Sequence, residues 1–180
     1  MDGPDDFGLL RTVWIPFVMT DAALLHSVVL VAATHYSTVH GPNSHNIDII
    51  ALRGMAIAAI GASTRDSARH TSNETIAAIA NIASFEALYG DSEAYATHMI
   101  GLRHLVRSRG GLGSLGLDGF LERLLVWIDA NASYITNQPH FFDNNHCPPS
   151  LPHPRPDPAS FGVRRDSAYS SYSTTYEQNT

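Results

Sequence analysis

Residues 107–116 read RSRGGLGSLG, and the choice between an α/β and an all-α fold turns on them. From Gly111 the spacing matches G-x-G-x-x-G, the turn that cradles the phosphates of a dinucleotide. That fingerprint requires a buried strand before it and a helix opening at its last glycine. What precedes it here is "DSEAYATHMIGLRHLVRSRG", residues 91–110. Tyr95, Met99, Leu102 and Val106 recur there at three- and four-residue steps, the stripe of a helix. The glycines therefore read as a helix stop at Gly110 and Gly111, with flexible turn points leading to the next helix. A G-x-S-x-G nucleophile elbow fails as well, because Leu112 stands two residues before Ser114.

Working outward, the neighbouring segments also carry helical periods. After the turn, residues 119–134 place Leu121, Leu124, Leu125 and Ile128 on one face. Before it, Asp91 can cap the helix of residues 92–109. Residues 74–89, "ETIAAIANIASFEALY", form a further helix closed by Gly90. Its alanines allow close approach of neighbours. Thr71 and Glu74 have the spacing of a capping box. Residues 46–61 form another helix, with Ile50, Gly54 and Ile57 on one side, and residues 63–70 are the connection. Gly41, Pro42 and Asn43 break the chain before it. Residues 21–40 form a wide-faced buried helix with Thr20 as the expected N-cap. The first twenty residues are mixed, with Pro4 and Pro16 as breakers. No segment alternates apolar and polar residues convincingly, so strands are not needed. The expected fold is all-α: about five short-looped antiparallel helices, part of a helical stack, over residues 1–143. Residues 144–180 are rich in Pro, Ser and Tyr and are expected to be a disordered tail.

Composition sets bounds on function. With 180 residues and 19.5 kDa the chain is long enough for one core, and 44% hydrophobic residues argue against wholesale disorder. The net charge is -6, and all 11 basic residues are arginine. An acidic surface does not supply the phosphate neutralisation on which nucleic-acid affinity rests. Cys147 is the single cysteine, so neither an internal disulfide nor a cysteine-based zinc cluster can form within this chain. No signal peptide is recognised, which fits an intracellular protein. The sequons at Asn73 and Asn131 fall inside helical patterns. The apolar run 27–34 is too short to span a bilayer.

Candidate chemistry is sparse. None of the 10 histidines belongs to H-E-x-x-H, and no local His/Asp/Glu spacing suits zinc. His98 and His104, six apart, sit on different helix faces; His35, His40 and His45 straddle the Gly41 break. Arg103, Arg107 and Arg109 could grip an anion, or more simply offset the helix dipole and cap free carbonyls. Glu122 and Asp129 lie two turns apart, a weak basis for acid/base work. Gly101 inside a helix costs about 1 kcal/mol relative to alanine, so a close helix neighbour is its expected justification. His98, on nearly the same face, could donate a buried hydrogen bond at that crossing, with Asp129 as one candidate partner.

Two stretches carry a resemblance. Residues 14–36, "WIPFVMTDAALLHSVVLVAATHY", resemble the opening of the regulatory domain of fungal-specific transcription factors. Residues 90–115, "GDSEAYATHMIGLRHLVRSRGGLGSL", resemble a later core segment. The family pattern falls on Gly90 and Asp91, then on His98, Gly101 and Leu102, then on Arg109, Gly110, Gly111 and Leu112. Trp127, Asp129 and Pro139 match the helix that follows. The resemblance spans residues 14–142 and implies a helical regulatory domain, ordinarily joined to a cysteine-rich binuclear zinc-cluster segment that this sequence lacks. The chain looks like the first half of such a domain.

The resulting expectation is a non-enzymatic, transcription-factor-like regulator acting through protein contacts, nuclear by the resemblance and otherwise cytoplasmic, with no direct nucleic-acid or membrane contact and no cofactor. Exposed helix faces would support homo- or hetero-oligomers. His98, Gly101, Leu102, Arg109, Gly110, Gly111, Trp127 and Asp129 are read as architectural, with no catalytic, cofactor or metal residue assigned. The alternatives are a small helical enzyme or a ligand or metal binder using the scattered histidines, and a truncated gene product without independent function.

Overall fold

The computed structural model describes residues 6–41, 47–143 and 155–157. Among them the regular structure is entirely helical: α1 (Asp6–Leu9), a π-helical turn (Leu10–Trp14), α2 (Ile15–Val18), α3 (Ala22–His40), α4 (Ile49–Arg65), α5 (Asn73–Tyr89), α6 (Ser92–Ser108) and α7 (Phe120–Thr136). A short 3-10 turn, Leu112–Ser114, lies between α6 and α7. The five long helices are those that the apolar spacing predicts.

The caps show where local reading was off by a residue. The Asp21 carboxylate accepts from the amides of Ala23 and Leu24 at 2.8 and 3.0 Å, so Asp21 caps α3. The neighbouring Thr20 hydroxyl instead donates to the Phe17 carbonyl at 2.7 Å. Likewise Ser72, not Thr71, caps α5, accepting from the Thr75 amide at 3.2 Å. The helix starts one residue later than a Thr71/Glu74 box requires. Asp48 caps α4 through the Ala51 amide, and that helix runs four residues past Gly61. Gly61 keeps helical backbone, so the expected connection is helical through Arg65.

From Asp6 the N-terminal segment is helical through Pro16, where a breaker was expected; the other expected breaker, Pro4, lies outside the described residues. Pro16 falls at the second position of α2, inside a helical stretch continuous from Asp6, where its missing N–H leaves a gap in the ladder. The ladder before it is widened into the π turn, whose last bond joins the Ile15 amide to the Leu10 carbonyl. Trp14 anchors this segment, its ring 5.9 Å from Phe17 and 6.0 Å from Phe120 at the start of α7.

α5 is the centre of the stack, in contact with α3, α4, α6 and α7. Residues 75–80 and 82–86 of α5 are all buried, and Ala77, Ala78, Ala80 and Ala83 among them let the flanking helices come close. The main core joins these to Leu24, Tyr95, Met99, Leu102, Val106, Leu121 and Leu125. A second, smaller cluster of Leu30, Ala56, Ile82 and Phe85 fastens α4 to α3 and α5.

α3 runs for 19 residues and by length and composition could cross a membrane, whereas the run 27–34 alone could not. Its Leu24, Ser27, Leu30 and Thr34 are nevertheless buried within the stack. The expected disordered tail, 144–180, lies outside the described residues except for 155–157, where the Asp157 amide donates to the Asn131 side chain.

Candidate functional site

Two buried carboxylates, Glu86 and Asp129, draw together residues from several elements of the stack. The first is Glu86, near the end of α5. Its side chain is only 1% exposed, and one oxygen accepts from Arg53 of α4 at 2.8 Å (Nε) and 2.7 Å (Nη2). The other oxygen accepts from the Asp91 amide at 3.3 Å. A single carboxylate thus ties α4, α5 and the turn into α6 together. Gly90 makes this geometry fit: a Cβ there would lie 2.0 Å from Glu86 Oε2 and 2.9 Å from Glu86 Cα. Asp91 then caps α6 through the Ala94 amide at 3.1 Å.

His98 belongs to this first cluster. It is half-buried on α6, and burial lowers its pKa; the Glu86 charge opposes that shift and the Arg53 charge adds to it. The charges that act on His98 are thus those of Glu86 and Arg53, and not that of Asp129, which was one candidate partner. Nor does Gly101 sit at a helix crossing. It is exposed, with nothing within 4 Å of where its Cβ would be. Leu102, its neighbour, is fully buried in the main core.

Asp129 is the second buried carboxylate, with no exposure at all. The Phe141 amide donates to both of its oxygens, at 3.0 and 3.1 Å, and the Phe142 amide donates at 3.2 Å. His140 Nδ1 lies 3.4 Å from the same carboxylate, and that hydrogen bond raises the His140 pKa, with partial burial opposing and the charges of Asp129 and Asp143 reinforcing. Tyr95 seals the cluster, its ring edge-on to Phe141 at 5.7 Å. The Tyr95 hydroxyl lies buried beside Ser133 without a hydrogen bond of good geometry among the described residues, and burial pushes its pKa up. Asp129 therefore fastens the chain leaving α7 back onto the helix. Its oxygens are taken up chiefly by backbone amides.

The glycine-rich segment is a pinned turn. The Gly110 amide donates to Arg107 at 3.0 Å and the Gly111 amide to Val106 at 2.9 Å, the paired closure of a helix C-terminus. Gly110 and Gly111 have φ of 109° and 97°, a region that L side chains rarely adopt. Where flexible turn points were expected, buried Leu112 and Leu115 hold the loop. The Gly116 amide adds a 3.3 Å bond to Asn73 of α5. Arg109 donates to the Thr71 carbonyl at 2.7 Å, tying this end of α6 to the α4–α5 connection. Leu117, Asp118 and Gly119 then follow with φ of 63°, 51° and 76°, leading into α7.

Trp127 is half-buried on α7 and lines a groove with Trp14 and Phe120. Among the described residues no three His, Cys, Asp or Glu side chains stand close enough to share a metal ion. Glu86 and Arg53 escaped sequence reading. The available signal was Glu86 as the single carboxylate in the apolar run 76–89, four residues before Gly90.

Among the described residues, this helical stack, with its Gly90–Asp91 cap and its Gly110–Gly111 helix stop, forms a scaffold of packed helices. The family model described as fungal-specific transcription factor domain matches residues 3–169. The chain belongs to that family, which agrees with the resemblance carried by its motifs. No match to a curated protein or to a solved structure was found.

Proposed function

We propose that this chain is a regulatory module of the transcription-factor type that works by binding other proteins, in the nucleus, without catalysing a reaction or contacting DNA or membrane itself. Family membership supports the regulatory role. The outer face of α4 carries the protein-contact reading. Ile50, Ala51, Gly54, Met55, Ile57, Ala58 and Ala62 are all exposed on that face, Ile50 to 86%. The only charged residues of this 17-residue helix are Arg53, held by Glu86, and Arg65 at its end. A contiguous uncharged face of this kind is costly in water and marks a contact surface.

The test is a reporter assay with the chain fused to a heterologous DNA-binding domain, alongside Ile50→Glu/Ile57→Glu. The wild-type fusion should change transcription and localise to the nucleus, and the double variant should lose the effect while keeping its circular dichroism. A wild-type fusion that leaves the reporter unchanged would refute the regulatory role. Equal activity of the variant would refute the assignment of the α4 face.

A further inference from the structure

We propose that the groove between the N-terminal helical segment and α7, floored by α5, is a binding site for a neutral, single-ring aromatic alcohol. The groove is half open to solvent, holds about 170 Å³ and is lined chiefly by Trp14, Phe120, Leu124 and Trp127, with Asn81 and Ser84 of α5. An apolar cavity of roughly 150 Å³ accepts one benzene-sized ring, so the volume here is sufficient for a single ring. The three aromatic side chains offer ring faces and edges for offset or edge-on stacking.

The polar groups specify the rest of the ligand. No lining residue is charged, so an ionised ligand would lose its hydration without compensation. One N–H of the Asn81 amide donates to the Ala77 carbonyl at 2.8 Å, which leaves its side-chain oxygen as an acceptor and its second N–H as a donor. Ser84 is only 7% exposed, lines the groove, and its hydroxyl has no hydrogen bond among the described residues. That hydroxyl is not fully shielded from solvent, so a ligand group can replace water at it. One acceptor beside one hydroxyl suits a ligand group that both donates and accepts: its O–H donates to Asn81 Oδ1 and its oxygen accepts from Ser84 Oγ. The wall opposite is the π turn, whose two ends, Leu10 and Trp14, both line the groove. Such widened turns recur at functional sites.

The chain's only two tryptophans, Trp14 and Trp127, both line this groove, so indole fluorescence reads occupancy directly. Titrating the full chain with phenol, excited at the red edge of indole absorption, should give a saturable change in emission, with matching heat in calorimetry. Benzoate, charged and of similar size, should give none. Ser84→Ala and Asn81→Leu should each weaken phenol binding roughly fivefold, the worth of one neutral hydrogen bond, with circular dichroism unchanged. The absence of saturable phenol binding to the wild-type chain would overturn the proposal, whatever the variants do. So would benzoate binding as tightly as phenol, or unchanged affinity in both folded variants. Binding is read on the isolated chain, so this outcome is independent of the reporter result.

Discussion

The Phe141 amide donates to both oxygens of Asp129, twelve residues earlier in the chain, at 3.0 and 3.1 Å. Phe141 and Phe142 are buried because this carboxylate holds their backbone against α7. The aromatic side chains and the charged hydrogen bonds thus depend on one another.

Replacing Asp129 tests that dependence. Asp129→Asn keeps the shape but removes the charge, and it turns one acceptor into a donor facing backbone N–H groups. A loss of about 2–3 kcal/mol is expected from bonds to a charged group, measured by urea unfolding. Hydrogen exchange should show the Phe141 and Phe142 amides losing protection first. A variant as stable as the parent would mean that the phenylalanine side chains alone hold the segment.

Acid and neutral conditions should affect the two shifted histidines in opposite ways. The His140 pKa is raised above 6.5, with its hydrogen bond to Asp129 as the first cause. Its contribution is fully present below the unfolded value and fades as pH rises through the folded value. The His98 pKa is lowered, first by burial. Its charged form therefore opposes folding, and stability falls as pH drops from the unfolded value through the folded one. His140→Gln should be less stable than the parent at mildly acidic pH and equal to it well above neutrality. His98→Gln should flatten the acid-side decline. Unfolding curves across that range, run on both variants, check the signs.

Gly90 and Glu86 occupy nearly the same space. A methyl group on residue 90 would lie 2.0 Å from the Glu86 carboxylate, so Gly90→Ala must push that side chain off Arg53 or shift the turn. The expected cost is about 1–3 kcal/mol, typical of overpacking. In a double-mutant cycle with Arg53→Met the two effects should be far from additive, because both act through Glu86. Additive losses would mean that the turn moves and leaves the Glu86–Arg53 pair intact.

Two of the glycine landmarks should respond to alanine with opposite signs. Gly101 is helical, exposed and free of neighbours within 4 Å, so Gly101→Ala should stabilise by roughly 0.5–1 kcal/mol. Gly111 has φ 97° and ψ -179°, a region essentially reserved for glycine and costing other residues about 1–3 kcal/mol. Gly111→Ala should destabilise accordingly. Thermal melts of both variants decide this, and a stabilised Gly111→Ala would overturn the account of the turn.

Helix positions were legible because they rest on local chemistry: apolar residues at three- and four-residue steps, capping oxygens within three residues of the amides they serve, glycines just past a helix end. Tyr95, Met99, Leu102 and Val106 needed no tertiary information to be placed on one face of α6. The cap errors at Thr20 and Thr71 have the same local origin, since adjacent Thr–Asp and Thr–Ser pairs each offer two candidate oxygens and packing selects one. The use of His98, Gly101 and Asp129 was a different problem. Glu86 meets Arg53 across 33 residues, and Asp129 meets a backbone that turns back after α7. No periodicity encodes such meetings, because they depend on how helices cross and which loop returns to which face. The sequence by itself determined that these residues are helical and which faces are apolar. Only the tertiary structure decided that one carboxylate binds an arginine, that the other binds backbone amides, and that α4 keeps an apolar face turned to water.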